Sequence, residues 1–147
     1  GHSARERATW IVTNSKNTNS HFEETPEMVD ILPSIANHLE LSIPKKIAME
    51  LDGTPFIGTV DASGLKAESK NGEISMTWKS LSTGEKGRVW VSTTNNFKTG
   101  GIDNYWLVDE INLADEKKSF SLNGTQSDIF KVVLETPSGY LNYWIVK

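Results

Sequence analysis

Between Val29 and Leu39 the apolar residues of this chain recur at three- and four-residue spacing, and from Leu51 on the period falls to two. This single change of period constrains the fold more than any other feature. Side chains return to one face of a helix every 3.6 residues and alternate faces along a strand. The chain therefore reads as a short helical piece followed by a β body. The clearest part of that body is "LKAES-K-NG-EISMTWKS". Asn71-Gly72 between two alternating runs is the strongest short hairpin signal. In the second run Ile74, Met76 and Trp78 share one face and Ser75, Thr77 and Lys79 the other.

Further strand-like runs follow at residues 87–93, 105–113, 118–122, 128–136 and 140–146, and residues 56–63 read as a strand or linker. About seven short strands with turns every 8–12 residues predict an antiparallel Ig-like β-sandwich. Residues 94–104 ("TNNFKTGGIDN") form a long polar loop, the best candidate for a contact surface, without the dense oxygen spacing of a calcium loop.

Before Leu51, "ATWIVTN" (8–14) reads as a buried strand and 15–20 as loop. Thr25 is placed to cap a helix with Pro26 at its first position. Val29, Leu32, Ile35, Ala36 and Leu39 then give one apolar helical face. Pro33 costs about 3 kcal/mol in a helix interior, so the regular helix is expected to start near Asp30 and run to Leu39. Asp30 itself suits the helix N-terminus, and "DGTP" (52–55) is a turn.

Composition excludes several classes. Hydrophobic residues at 37% and charged residues at 23% are globular values. The net charge is −4 and no block of Lys and Arg stands out, so no nucleic-acid footprint is present. With no Cys there is no disulfide and no thiol nucleophile. No apolar run approaches the roughly 20 residues of a transmembrane helix. The chain starts "GHS", without Met or a signal peptide, and reads as a processed fragment whose native N-terminus is expected upstream.

Two family resemblances add to this reading. "GEISMTWKS" resembles the second strand of fibronectin type III domains, where an alternating apolar run ends in a buried Trp. "DIFKVVLET" resembles their sixth strand, with Phe130, Val132 and Leu134 inward. The absence of a Cys pair favours this kind over an antibody-type domain. The resemblance covers 56–147 and concerns fold alone.

The second resemblance is carried by "MVDILPSIANHLELSIPKKIAMELDGTPFIG". Asp30-Ile31-Leu32-Pro33-Ser34, Leu39, Ile43-Pro44 and Leu51-Asp52-Gly53-Thr54-Pro55-Phe56 follow, in order and spacing, the closing segment of the alkaline phosphatase superfamily of metallohydrolases. That superfamily includes type I phosphodiesterases and sulfatases. Glu40 departs from the Gly that usually follows the helix. The resemblance implies that 1–55 is the tail of an α/β domain: strand, loop, helix. "HSARERATWIVTN" is similar to the stretch just after a metal-binding His. The two zinc-like divalent metals, their ligands and the nucleophile would then belong to an upstream catalytic domain of the same polypeptide, in a periplasmic or cell-surface setting of a Gram-negative bacterium. Such metals polarise the phosphoryl or sulfuryl group.

The residues present assemble no such centre on sequence grounds. A catalytic zinc needs about three protein ligands, and the chain has only His2, His21 and His38. His38 reads as a helix-surface residue and His21 as a solvated loop residue. His2 alone resembles the superfamily's metal region, and an ordinary residue is the simpler reading. No Ser sits in a nucleophile elbow. The chain by itself is expected to be non-catalytic.

Five Trp and three Tyr leave an alternative open, a carbohydrate-binding sandwich with exposed aromatics. Trp78 belongs to the core. Trp90 falls on the polar face, as a sugar platform or packed under a neighbouring segment. Tyr105 or Trp106 must face outward, and Tyr140, Asn142 and Trp144 share one face. Trp90, Trp106, Tyr140, Trp144, Asn96 and Phe97 are the candidate glycan or partner contacts. A pure spacer or docking domain is the third reading.

Overall fold

The computed structural model describes residues 10–24, 26–122 and 124–146. Two antiparallel sheets pack face to face. Strands β1 (Ala62–Lys70), β2 (Glu73–Ser80) and β5 (Lys117–Ser121) make one sheet in the order β1-β2-β5. Strands β3 (Lys86–Ser92), β4 (Trp106–Asn112), β6 (Ile129–Thr136) and β7 (Gly139–Val146) make the other, in the order β4-β3-β6-β7. The β1–β2 hairpin closes at Lys70↔Glu73, and Asn71 and Gly72 lie at φ 53° and 81°, as a two-residue primed turn requires.

Ile74, Met76 and Trp78 point into the space between the sheets, against Val89, Val91, Phe130, Val132 and Leu134. The indole N–H of Trp78 donates to the Leu113 carbonyl at 2.8 Å, so this buried polar atom is satisfied.

Of the expected N-terminal strand and helix, the helix is present and the strand is not. Residues 10–14 form no strand; Trp10 and Val12 stand 82% and 78% exposed. An extended segment without a neighbouring ladder has no partner for its backbone groups except water. The chain touches the rest of the fold further on, where Thr18 bridges Ile57. Residues 58–61 are linker and β1 begins at Ala62.

Helix α1 (Ile31–His38) follows a single 3₁₀ turn, Met28–Asp30. Thr25 lies outside the described residues; the start is made by Glu27 and Asp30. The Glu27 N–H donates to Asp30 Oδ2 at 2.7 Å while the Glu27 carboxylate accepts the Asp30 N–H, a reciprocal box. Pro33 falls in the first turn, where its missing N–H costs nothing. At the C-terminus the Leu41 N–H bonds the Ala36 carbonyl (2.8 Å) and the Glu40 N–H the Asn37 carbonyl (3.2 Å). That is a Schellman closure, and it puts Glu40 at φ 53°, a position usually held by Gly. A second short helix, α2 (Lys45–Ala48), then leads onto the outer face of the four-stranded sheet.

Candidate functional site

Residues 30–34 and 52–56 are fastened to each other through Asp30. Its carboxylate is buried, and Oδ1 accepts the Thr54 N–H at 2.7 Å. Ser34 Oγ donates to the Asp30 carbonyl (2.6 Å) and accepts the Phe56 N–H (2.9 Å). Asn37 Nδ2 donates to the Ile57 carbonyl at 2.9 Å. Gly53 is required by this approach, because a Cβ there would run into the Val29 backbone carbonyl. "DILPS" and "DGTPF" are thus one hydrogen-bonded unit.

The unit also decides which way α1 faces. Its inner side is taken by Asp30, Pro33, Ser34 and Ala36, all buried. The predicted apolar face therefore points outward: Val29, Leu32, Ile35 and Leu39 are 46–57% exposed. Only Ala36 of the five expected residues is in the interior. At roughly 1.5–3 kcal/mol for each large aliphatic fully buried, this stripe forgoes several kcal/mol that a covering surface would supply.

Beneath the segment 45–57, the outer face of the four-stranded sheet carries two charge clusters. Lys131 of β6 is fully buried; its ammonium bonds Glu50 Oε2 at 2.6 Å and Asp103 Oδ2, and lies 4.2 Å from the Trp144 ring centroid. Tyr105 donates its hydroxyl to Glu50 Oε1 at 2.8 Å. Burial raises the Asp103 carboxyl, but the Lys131 ammonium together with the Thr94 and Asn96 donors outweighs it and holds the group below the ordinary carboxylate range. Burial and the Glu50 carboxylate push the Tyr105 phenol far up, so it stays a donor.

In the second cluster Lys45 of α2 reaches both Glu135 oxygens at 3.1 Å and stands 4.2 Å from the Trp90 ring centroid. Trp90 Nε1 and the Tyr140 hydroxyl donate to the same carboxylate, at 2.7 and 3.2 Å. Glu135 is raised by burial, yet Lys45 and Trp90 pull it below its usual value.

The candidate contact residues are thereby sorted. Trp90 and Tyr140 are brought together around Glu135 under Lys45, and Trp144 has the Lys131 ammonium on one ring face. They lie on the face that α2 and the following turn cover. Trp106 and Phe97 are exposed, on β4 and on a 3₁₀ turn of the 94–104 loop. Asn96 organises that loop: its N–H donates to Asp103 Oδ1 at 2.6 Å and its side chain to the Ile102 carbonyl at 3.1 Å. His38 is exposed, as expected, and His2 lies outside the described residues.

His21 is not the solvated loop residue that the sequence suggests. It is 15% exposed and held between Glu24 and Asp30, with each ring nitrogen 3.1 Å from a carboxylate oxygen. It lines a groove of about 530 Å³ with Glu27, Asp52, Tyr143 and Trp144. Lys131, Glu50 and Asp103 were missed altogether. Alternation put Lys131 opposite Phe130 and Val132, hence outside the core, and nothing local in the sequence shows that 45–57 covers that face.

Among the described residues no group of three or more His, Asp and Glu is placed to hold a metal ion, so the two implied divalent metals find no ligand set here. No helix among them is long and apolar enough to cross a membrane. Compared with family models, with curated proteins and with solved structures, the chain matches none.

Proposed function

We propose that this chain is the C-terminal accessory region of an exported alkaline-phosphatase-like phosphodiesterase or phosphatase. Residues 1–55 are the closing segment of its α/β domain and 56–147 a fibronectin type III-like sandwich that packs on, or positions, the catalytic part. The observation that carries this reading is the outward stripe Val29, Leu32, Ile35 and Leu39 on a helix whose other side is locked in place. A helix anchored so firmly with its apolar face unpaired is built to lie against another surface. The strand orders β1-β2-β5 and β4-β3-β6-β7 support the fibronectin-type reading of the sandwich. The catalytic metals and nucleophile belong to the upstream part in this account, and the chain is silent by itself.

The test is hydrolysis of a phosphate monoester and a phosphate diester by this chain with added zinc, beside a His2→Ala control. No turnover in either sample is expected. Turnover that the control loses would overturn the reading and place a metal site around His2.

A further inference from the structure

More carboxylate acceptors face the His21 ring than a neutral imidazole has donors. A neutral imidazole has one N–H donor and one lone pair. Here both ring nitrogens face carboxylate oxygens, Nδ1 to Glu24 Oε2 and Nε2 to Asp30 Oδ2, each at 3.1 Å. A neutral ring would turn a lone pair toward an anionic oxygen at one of the two. Only a doubly protonated ring donates to both carboxylates. Asp30 is already committed as an acceptor, with the Thr54 N–H on Oδ1 and the Glu27 N–H on Oδ2. Glu24 is held below its ordinary range by hydrogen bonds from His21 and Lys79.

We propose that His21 is a proton-dependent clasp: doubly protonated, it ties the Ser20–Glu23 turn to the buried Asp30, and loss of one ring proton releases that tie. The charged groups facing it are accounted for among the described residues. Glu24 comes from its own segment, where Lys79 of β2 reaches it at 3.3 Å. Asp30 comes from the turn before α1, and Glu27 and Asp52 share the groove. No Lys or Arg lines that groove. What the clasp controls follows from the hub it closes on. Asp30 holds both the start of α1 and the Thr54 turn, and the Ser20–Glu23 turn follows directly on Asn19, which binds the Phe56 carbonyl at 3.1 Å. Raising the pH should loosen residues 19–27 and 54 while leaving the sandwich intact.

Amide hydrogen exchange, corrected for intrinsic rates, at pH 5.5 and 8.5 tests this on the whole chain. The Asn19, Glu24, Glu27 and Thr54 amides should lose about tenfold in protection at the higher pH. Those of Trp78 and Val132 should not change. In His21→Gln, whose amide carries donors on one end only and an acceptor on the other at any pH, protection at the four amides should be low and independent of pH. An equal pH-dependent loss in wild type and variant, or none in wild type, overturns the proposal. The ¹⁵N shifts of the His21 ring supply a check that needs no variant. If the ring loses a proton across this range while the four amides stay equally protected, the clasp does not exist.

Discussion

Thr54 donates its backbone N–H to Asp30 Oδ1 at 2.7 Å, joining residues 24 positions apart. This bond links the start of α1 to the turn after α2, and the same carboxylate closes the helix cap. Asp30→Asn keeps the shape but replaces a two-oxygen acceptor by one oxygen and an NH₂ donor. One backbone N–H must then face a donor. The expected loss is about 2 kcal/mol, since hydrogen bonds to charged groups contribute roughly 1.5–3. Urea unfolding followed by Trp fluorescence measures it, and a midpoint equal to wild type would remove Asp30 as the hub.

Glu40 occupies the left-handed position of the α1 closure at φ 53°. A side chain there is strained where Gly is free. Glu40→Gly is expected to raise stability by about 0.5–1 kcal/mol, despite the greater freedom it gives the unfolded chain. A rise in Tm supports the assignment; a fall means that Glu40 makes up its strain elsewhere.

Lys131 balances two buried carboxylates. Lys131→Met leaves Glu50 and Asp103 facing each other without a cation, at a cost of about 3–5 kcal/mol. The triple variant Lys131→Met, Glu50→Gln, Asp103→Asn removes the uncompensated charge and should regain most of that loss. Comparing their urea midpoints separates burying a charge from losing packing, because both variants share the same change of volume at position 131.

Acid should loosen the cover from the sheet. Asp103 and Glu135 are both held below the ordinary carboxylate range in the folded state. Their contribution is therefore fully present above the unfolded-state values, about pH 4, and is lost as pH falls through the lower folded-state values. Stability should fall with acidification below about pH 4, and Glu135→Gln should flatten part of that slope. A slope unchanged in the variant would mean that the clamp around Lys45 contributes no pH dependence.

The sandwich was legible in the sequence because its signals are local. Asn71-Gly72 dictates its own turn, and Ile74, Met76 and Trp78 reach the core by alternation alone. Tyr140, Asn142 and Trp144 do share a face, one that pairs across with Glu135, Val133 and Lys131. That this face is covered depends on a segment some 80 residues earlier, as the Lys131–Glu50 bond shows, and no periodicity records such a contact. The helix was legible as an element but not in its orientation. Hydrophobic spacing marks the face that wants cover, and in this chain Asp30 and Ser34 bind the opposite face. For His21, "HFEE" followed by Asp30 offered carboxylates without saying that they converge.

The two cationic clamps have a mechanical consequence. Lys131 grips Glu50 from below, and Lys45 reaches down onto Glu135 and Trp90 on the same sheet. Both clamps sit on β6, and the Thr54–Asp30 bond continues the same line of polar contacts to the start of α1. The helix is thereby braced against the sheet, which holds its exposed stripe at one fixed orientation to the sandwich.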